Sequence, residues 1–415
     1  MSASLESSTG GQSPSTAVRR WLPLIDDERA RVTGQAGHEQ PDSTELERVP
    51  RVVFVIDSLA NNGAVQITLS LVRRWAKRGA VLAVLQRVDG VPLASVGAEV
   101  PVRHLTRRAS RLRAGLPPAV ASLVQAARAA DVVVGGSEIG PGLIVGYLAA
   151  RITRRPFVVS VHADLDQALG EWMPARLHPL LYRIHRRVDG AVCVAPALVE
   201  PLVRNGLPAD RISVVRNGID TAAVRGQAAG EGNLVEGPLP VVVATGRLAP
   251  QKGYDLLLRA HAQVVQQYPH RVLIVNDGPE LLALQALAGE LGVSGSVQFA
   301  GAVPAPLPSV AKADLFCLPS RHEGLPLALL EAVALGVPII AADCAPGVRD
   351  ALDGGRVGRL IPPDDVAALA QALADHLRDP ADLKARAALG PDHARSFDSA
   401  VMARGWAAAL RKALR

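Results

Sequence analysis

From Val52 onward, short runs rich in Val and Ile alternate with amphipathic segments long enough to be helices. Strand-then-helix alternation of this kind is typical of parallel sheets whose two faces are covered by helices. The sequence therefore predicts an α/β fold. The runs that predict strands are 52–56, 81–85, 132–134, 157–161, 190–194, 212–215, 241–246, 271–276, 296–299, 314–318, 338–341 and 357–361.

These twelve predicted strands fall into two sets of six, separated by the Gly- and Ala-rich stretch 222–238, which is typical of a linker. We therefore predict two doubly wound, Rossmann-like domains, residues 49–221 and residues 239–397. In such a pair the ligand cleft lies between the domains, where the carboxyl ends of the strands face each other. Residues 398–415 are expected to form a helix that could cross back to the first domain. Residues 1–48, rich in Ser, Thr, Gly and Gln, are expected to form a disordered tail.

Composition limits the classes of protein to consider. The 415 residues are 49% hydrophobic and 20% charged, which suits two well-buried cores. Three scattered cysteines, with no CxxC pair, argue against structural disulfides and a zinc site. The chain starts without a basic segment followed by an apolar one, and it has no run of about 18 apolar residues. We therefore expect a cytoplasmic protein.

The positive charge is concentrated in the first predicted domain. The whole chain carries a net charge of +6, whereas residues 51–220 hold 22 Lys and Arg against 12 Asp and Glu, a net charge of +10. A cationic domain favours an anionic partner, such as an acidic lipid surface, a lipid-linked diphosphate or a nucleic acid. With only 3% aromatic residues to stack on bases, nucleic acid is disfavoured. The sequence therefore favours peripheral contact with the inner face of a membrane.

Arg247 and Lys252 flank a turn that directly follows the apolar run 241–246. Fixed Arg and Lys charges on such a loop can stabilise the negative charge that develops on a departing diphosphate, without a metal ion. The alternative interpretation is a solvated pair of loop residues.

Glu323 and Glu331 stand eight residues apart around a predicted helix start. Because Pro326 suits the first helical turn, Glu323 should lie in the loop and Glu331 inside the helix. The deeper carboxylate could accept both hydroxyls of a ribose. The loop carboxylate, beside the amides of Gly324 and Leu325, would face a transferred sugar and its phosphate. Alternatively, Glu323 is an N-terminal helix charge and Glu331 pairs with a nearby arginine.

Three further features occur in the first half of the chain. His162 ends the apolar run 157–161 and could contact the transferred sugar from the other side of the cleft, although a single histidine can equally be structural. Asp164 and Asp166 form a DxD pattern, which in some proteins binds a metal, but Arg247 and Lys252 would make the metal redundant. Gly63 opens a predicted helix and could bring backbone N–H groups to an anion, or simply form an ordinary loop.

The combination of these motifs resembles family 4 glycosyltransferases of the GT-B fold. The resemblance rests on Gly246-Arg247 with Lys252-Gly253, on the Glu323/Glu331 pair, on the 215–220 junction and on two loops, 276–280 and 343–352. The last loop is similar to that of members using UDP-linked hexoses or N-acetylhexosamines on lipid-linked or polysaccharide acceptors.

The resemblance implies that Arg247 and Lys252 bind the donor phosphates, that Glu331 binds the ribose and that Glu323 lies beside the donor sugar. It also implies that His162 is the family's strand-end histidine, that the anomeric configuration is retained and that no metal or other cofactor is needed. One departure occurs in the first loop, which usually carries Gly-Gly but here reads Asn61-Asn62-Gly63, so only Gly63 matches.

The function predicted from the sequence is therefore a retaining, metal-independent glycosyltransferase. It would use a nucleotide sugar, with UDP favoured, to assemble cell-surface polysaccharide or glycoconjugate. Two alternatives stay open. One is a nucleotide-sugar epimerase on the same scaffold, which would not need a basic domain, and the other is a non-catalytic sugar-nucleotide-binding subunit, in which charged site residues would be expected to be lost.

Overall fold

The computed structural model describes residues 49–59, 63–85, 102–105 and 112–415, and for residues 112–116 it describes the backbone alone. The tail predicted for residues 1–48 lies outside these ranges. So do Asn61 and Asn62 of the first loop and three arginines of the positively charged first domain, Arg107, Arg108 and Arg111.

Within the described residues, the first sheet has seven parallel strands in the order β3-β2-β1-β4-β5-β6-β7. The central strands are buried along their whole length, as expected for a parallel sheet covered on both faces. The strands are β1 (Val52–Ile56), β2 (Val81–Val84), β3 (Val102–His104), β4 (Val132–Gly135), β5 (Phe157–Val161), β6 (Gly190–Cys193) and β7 (Ile212–Val214).

The second sheet has six parallel strands in the order β10-β9-β8-β11-β12-β13. Its strands are β8 (Val241–Thr245), β9 (Arg271–Val275), β10 (Val297–Phe299), β11 (Leu315–Leu318), β12 (Ile339–Ala342) and β13 (Arg359–Ile361). All twelve predicted strands are confirmed, with ends that move by up to two residues. The prediction missed β3, because two of its three residues, Arg103 and His104, are polar.

Helices cover both sheets. Those of the first half are α1 (Gly63–Trp75), α2 (Leu112–Ala129), α3 (Pro141–Thr153), α4 (Leu165–Trp172), α5 (His178–His185) and α6 (Val199–Arg204). Those of the second half are α7 (Thr221–Ala228), α8 (Tyr254–Val264), α9 (Leu281–Glu290), α10 (Leu307–Ala311), α11 (Leu327–Leu335), α12 (Pro346–Ala351), α13 (Val366–Arg378), α14 (Ala381–Ala387), α15 (Gly390–His393) and α16 (Ser399–Ala413). Among the described residues, no helix is long and apolar enough to cross a membrane.

The stretch predicted as a linker begins with helix α7. Asp220 caps this helix, because its Oδ1 accepts hydrogen bonds from the backbone N–H groups of Ala222 (3.1 Å) and Ala223 (2.9 Å). Val224 is buried in the hydrophobic core of the second half. Composition alone missed this helix, since one buried valine among Gly and Ala leaves little amphipathic pattern.

Helix α16 packs against the first sheet, although it follows the second in the chain. Met402, Trp406 and Leu410 are buried in one core with strand β1. The rings of Trp406 and Phe54 lie edge to face, with centroids 6.3 Å apart. At the start of α16, Ser399 N donates to the Ile219 carbonyl at 2.9 Å. Ile219 lies in the segment where the chain first passes from the first half to the second. The chain thus crosses between the two halves twice at one place.

The order of strands fixes where a ligand can bind. In each sheet the order reverses at the first strand: β1 lies between β2 and β4, and β8 between β9 and β11. The crevice at the carboxyl ends of the strands beside such a switch point is the usual binding place in open α/β sheets. The loops that follow β5, β8 and β11 carry most of the predicted site residues.

Candidate active site

The loop after strand β8 carries the two predicted cations. Tyr254 holds the loop by donating its hydroxyl proton to the carbonyl of Gly246, with an O–O distance of 2.9 Å. Arg247 is exposed and forms no hydrogen bond or ion pair within the described ranges. Lys252 ends a short 3₁₀ turn, Pro250–Lys252, and is partly buried. One cation of the loop is therefore available to a ligand and the other is directed inward.

A second loop, residues 276–280, holds the loop after strand β8 in place. The Leu248 amide donates to the Asp277 carbonyl at 3.0 Å, and the Glu280 amide donates to the Leu248 carbonyl at 3.1 Å. Between these bonds lies Gly278, where an added Cβ would be 2.3 Å from the Leu248 carbonyl oxygen. Only glycine permits this approach, so the 276–280 loop named in the resemblance fixes the backbone beside Arg247.

Lys252 forms an ion pair with Glu323, 71 residues further along the chain. The distance from Nζ to Oε1 is 2.6 Å, and the Glu323 and Lys252 side chains are 7% and 19% exposed. The Ser320 hydroxyl donates to the same carboxylate oxygen at 2.7 Å. Lys252 and Glu323 were expected to contact different parts of a nucleotide sugar, the phosphates and the sugar. They instead form one hydrogen-bonded group with each other. Ser320 was missed, because nothing in the sequence pattern distinguishes it from other loop serines.

Glu331 is the fifth residue of helix α11, and Glu323 lies in the loop before that helix, as their spacing predicted. Burial raises the pKa of Glu331 to about 7. No arginine pairs with it, and it accepts no hydrogen bond, in the part of the chain that the structure describes. A half-buried carboxyl group without a protein partner in the described chain has both oxygens available to accept hydrogen bonds from a ligand.

His162 follows strand β5 in the other half of the molecule. Its Nε2 lies 2.7 Å from the Ser160 hydroxyl, and its backbone N–H donates to Oε2 of Glu138 at 3.1 Å. Burial lowers the pKa of His162 to about 4, so the imidazole is neutral near pH 7. Sequence reasoning missed Glu138, which comes after a strand and a Gly-Gly pair without any recognisable motif.

The two halves meet where these loops come together. A Cβ built on Gly324 would be 3.0 Å from the His162 carbonyl oxygen and 3.6 Å from a methyl group of Val194. Beside it, the buried Asn217 side chain donates to the carbonyl of Leu325 at 3.2 Å. Gly324 and Leu325 therefore lie at the contact between the domains, with Glu323 directly before them.

The other residues singled out in the first half are placed differently. Gly63 begins α1 and is exposed, with nothing within 4 Å of an added Cβ. Asp164 caps α4 by accepting from the amides of Asp166 (2.9 Å) and Gln167 (3.0 Å). Asp166 accepts a hydrogen bond from the Tyr182 hydroxyl at 2.6 Å and pairs with Arg204 at 2.6 Å, and these two contacts lower its pKa. Both members of the DxD pattern thus have structural partners.

Two family models match the chain. The model described as Glycosyltransferase Family 4 matches residues 61–223, and the model described as Glycosyl transferases group 1 matches residues 239–379. The two matches divide at the stretch that holds helix α7, and together they include every predicted site residue.

The curated relatives include glycosyltransferases. The chain is 33% identical over 254 residues to a GDP-mannose-dependent alpha-(1-6)-phosphatidylinositol monomannoside mannosyltransferase of Mycolicibacterium smegmatis, a match that covers 58% of this chain and 65% of that protein. It is 35% identical over 213 residues to a D-inositol 3-phosphate glycosyltransferase of Nocardia farcinica, covering 48% of this chain and 47% of the relative. The chain thus spans less than two thirds of the length of each.

Solved structures show the same architecture. Anabaena HepE, solved in complex with UDP and glucose, has a TM-score of 0.73 at 23% identity, and the match covers 87% of this chain and 99% of that one. WaaG, a glycosyltransferase involved in lipopolysaccharide biosynthesis, has a TM-score of 0.66 at 15% identity, covering 86% and 98%. At these identities the likeness shows the fold, two Rossmann-like domains, and no more.

Proposed function

Because this chain belongs to the family 4 glycosyltransferases and has their GT-B fold, we propose that it transfers a sugar with retention of configuration. The donor would be a nucleotide sugar and the acceptor a glycan or a lipid-linked sugar used in cell-surface polysaccharide or glycoconjugate assembly. The observation that carries this proposal is the Lys252–Glu323 pair. It lies beside the contact between Gly324 and His162, so charged groups of one domain and the histidine of the other border one crevice.

The donor diphosphate is assigned to Arg247 and Lys252. Arg247 has no partner within the described residues, and the Lys252 ammonium has donors left after it bonds to Glu323. As the bond from the anomeric carbon to the phosphate oxygen breaks, negative charge grows on the diphosphate. Fixed cations that are already held in place stabilise this charge without reorganising. The open helix start at Gly63 would supply backbone N–H groups from the opposite domain.

Glu331 is assigned to the ribose, since a carboxylate can accept both hydroxyls and this one lacks a partner in the described chain. Glu323, with the amides of Gly324 and Leu325, is assigned to the donor sugar and its phosphate. In the proposed reaction the acceptor hydroxyl oxygen bonds to the anomeric carbon on the face that the diphosphate leaves. Its proton passes to the departing phosphate oxygen, so no group on the protein has to remove it.

Near pH 7 His162 cannot act as a cation, because burial keeps the pKa of its ring at about 4. We assign to it a hydrogen bond with a hydroxyl group of the donor sugar. A neutral imidazole bonded to the Ser160 hydroxyl still has one ring nitrogen for this contact.

For the donor we favour a UDP-hexose or UDP-N-acetylhexosamine, on the resemblance of residues 343–352. The curated relative named as GDP-mannose-dependent makes GDP-mannose the second candidate. The bound UDP of Anabaena HepE agrees with the first choice but belongs to a protein only 23% identical.

The acceptor side is proposed to touch an anionic membrane on the inner face of the cell. Helices α3 and α4 expose large apolar side chains, with Ile152 59% and Trp172 51% exposed. Arg154 and Arg176 lie close to them in the chain, in the basic half of the protein. Exposed apolar groups next to arginines are typical of proteins that bind anionic lipid surfaces.

A thermal-shift screen with UDP-, GDP- and ADP-sugars, followed by product analysis with the stabilising donor, tests the proposal. We expect one class of nucleotide sugar to raise Tm and to release its nucleotide when a glycan or lipid-linked acceptor is added. Conversion of the donor into an epimer would identify an epimerase. Binding without any turnover would identify a non-catalytic subunit, and retention would be rejected if the product had the inverted anomeric configuration.

A further inference from the structure

Glu138 is a buried carboxyl group to which no role has been assigned. It lies in the loop after strand β4 and is 3% exposed. Strands β4 and β5 are neighbours in the sheet, so this loop lies beside the one that carries His162. A carboxylate that is taken out of water needs several hydrogen-bond donors or a cation to compensate for lost hydration.

Two of the four polar groups that face the Glu138 carboxyl group are backbone N–H groups of the β5 exit. Its Oε2 accepts from the His162 N–H at 3.1 Å, and the N–H groups of Ala163 and of Glu138 itself, together with the Ser137 side chain, act to lower its pKa. Converging backbone N–H groups of this kind form an anion-binding nest. Here the anion belongs to the protein, and it holds the backbone at His162.

The main chain of Glu138 is held as well. Its carbonyl oxygen lies 2.7 Å from Nε2 of the fully buried His185 on helix α5. Burial raises the pKa of Glu138 to about 7 and lowers that of His185 to about 4. Cys193, also close, has a pKa raised by burial and by Glu138 itself. Near neutral pH its titratable neighbours His162, His185 and Cys193 are therefore uncharged, so none of these three supplies a cation to the carboxylate.

We propose that Glu138 is a positioning residue that fixes the backbone of His162 and Ala163, and through it the place of His162 in the crevice. The His162 carbonyl is the atom against which Gly324 of the other domain packs. Fixing this peptide therefore fixes the place of the His162 imidazole. The effect on turnover rests on the proposed glycosyltransferase function, whereas the anchoring of the backbone does not.

The test compares Glu138→Gln with wild-type protein at pH 8. Glutamine keeps the size but replaces one acceptor oxygen by an N–H₂ group, which would face N–H donors. We expect faster amide hydrogen exchange at His162 and Ala163, measured by NMR or on fragments spanning 157–165, and at least a tenfold lower kcat. The Kd for UDP or GDP, whichever nucleotide binds, should stay within twofold, because Arg247, Lys252 and Glu331 lie in the other domain. Glu171→Gln, an exposed change in the same domain, is the matched control.

A double-mutant cycle with His162→Ala separates positioning from a general loss of stability. If Glu138 acts through His162, Glu138→Gln should lower kcat much less in the His162→Ala background than in wild type. Unchanged exchange at His162 in Glu138→Gln would overturn the proposal, and so would effects on kcat that are independent in the cycle. If Glu138→Gln does not fold, Glu138→Asp decides by the same exchange measurement: its shorter side chain should speed exchange, and a wild-type rate would overturn the anchor. If wild-type protein transfers no sugar, the proposed function fails, while the exchange result still decides on the anchor.

Discussion

The carbonyl oxygen of His162 lies against Gly324 so closely that a Cβ added to this glycine would be 3.0 Å from it. One of these residues follows a strand of the first sheet, and the other comes after Glu323 in the second half. Their contact shows that the loops carrying the predicted sugar-binding residues of the two domains touch each other.

Gly324→Ala should therefore reduce activity without unfolding the protein. The new methyl group has to displace the His162 backbone by a few tenths of an ångström, which misaligns the two sides of the crevice. We expect kcat/KM to fall about tenfold, with Tm within a few degrees of wild type. Gly295→Ala is the control, because nothing lies within 4 Å of a Cβ there. Wild-type kinetics in Gly324→Ala would show that this contact does not align the site.

Lys252→Ala should weaken nucleotide binding more than the loss of an exposed lysine would. The change removes a phosphate ligand and leaves the Glu323 carboxylate, 7% exposed, without its cation. A hydrogen bond to a charged group is worth about 1.5–3 kcal/mol, which corresponds to roughly a 10- to 150-fold increase in Kd. Isothermal titration with the nucleotide diphosphate measures it. Lys312→Ala removes an exposed lysine from the same domain and should leave Kd unchanged; equal losses in both variants would point to a general charge effect.

Glu331 should make the binding of the nucleotide sugar depend on pH. With a pKa of about 7 in the free protein, its carboxylate form becomes scarcer as pH falls below 7. If the ribose hydroxyls need two acceptor oxygens, affinity should be about tenfold lower at pH 6 than on the plateau above pH 8. The intact nucleotide sugar is the suitable probe, because a free terminal phosphate titrates in the same range. Glu331→Gln should bind weakly and equally at all these pH values, and a wild-type pH profile in that variant would assign the titration elsewhere.

The same raised pKa has a consequence for stability. Glu331 holds its proton more tightly in the folded than in the unfolded protein, so its protonated form adds to the free energy of unfolding. This contribution is fully present below about pH 4.5 and is lost as pH rises through 7. In the absence of ligand, Glu331→Gln should therefore gain in Tm relative to wild type between pH 5 and pH 8. Calorimetry at several pH values checks this. A difference in Tm that does not change with pH would mean that Glu331 ionises as freely as an exposed glutamate.

Activity should persist in EDTA. Asp164 caps helix α4 and Asp166 pairs with Arg204, so either would have to give up a partner to bind a metal ion. We expect unchanged turnover after chelation and dialysis. Loss of activity that Mn²⁺ restores would instead assign a metal to Asp164 and Asp166.

Much of the fold follows from local pattern. Strands such as Val52–Ile56 and Phe157–Val161 are buried on both faces, and the continuous apolar runs that burial requires are visible in the sequence. The start of helix Leu327–Leu335 is likewise visible in the sequence, because Pro326 directly precedes it. The places of Glu323 and Glu331 relative to that helix were therefore predictable. Burial of a strand and initiation of a helix each involve only a few consecutive residues, so both can be predicted from the local sequence.

Only the tertiary structure could decide which groups meet. The Lys252–Glu323 pair joins residues 71 positions apart, and Glu138 reaches the His162 amide across 24 positions because β4 and β5 are neighbouring strands. Trp406 enters the core of the first domain only because the chain crosses back. Residue types thus supplied the carboxylates, cations and histidine of the site, whereas their pairing, burial and protonation depend on distances that are set when the two sheets are assembled.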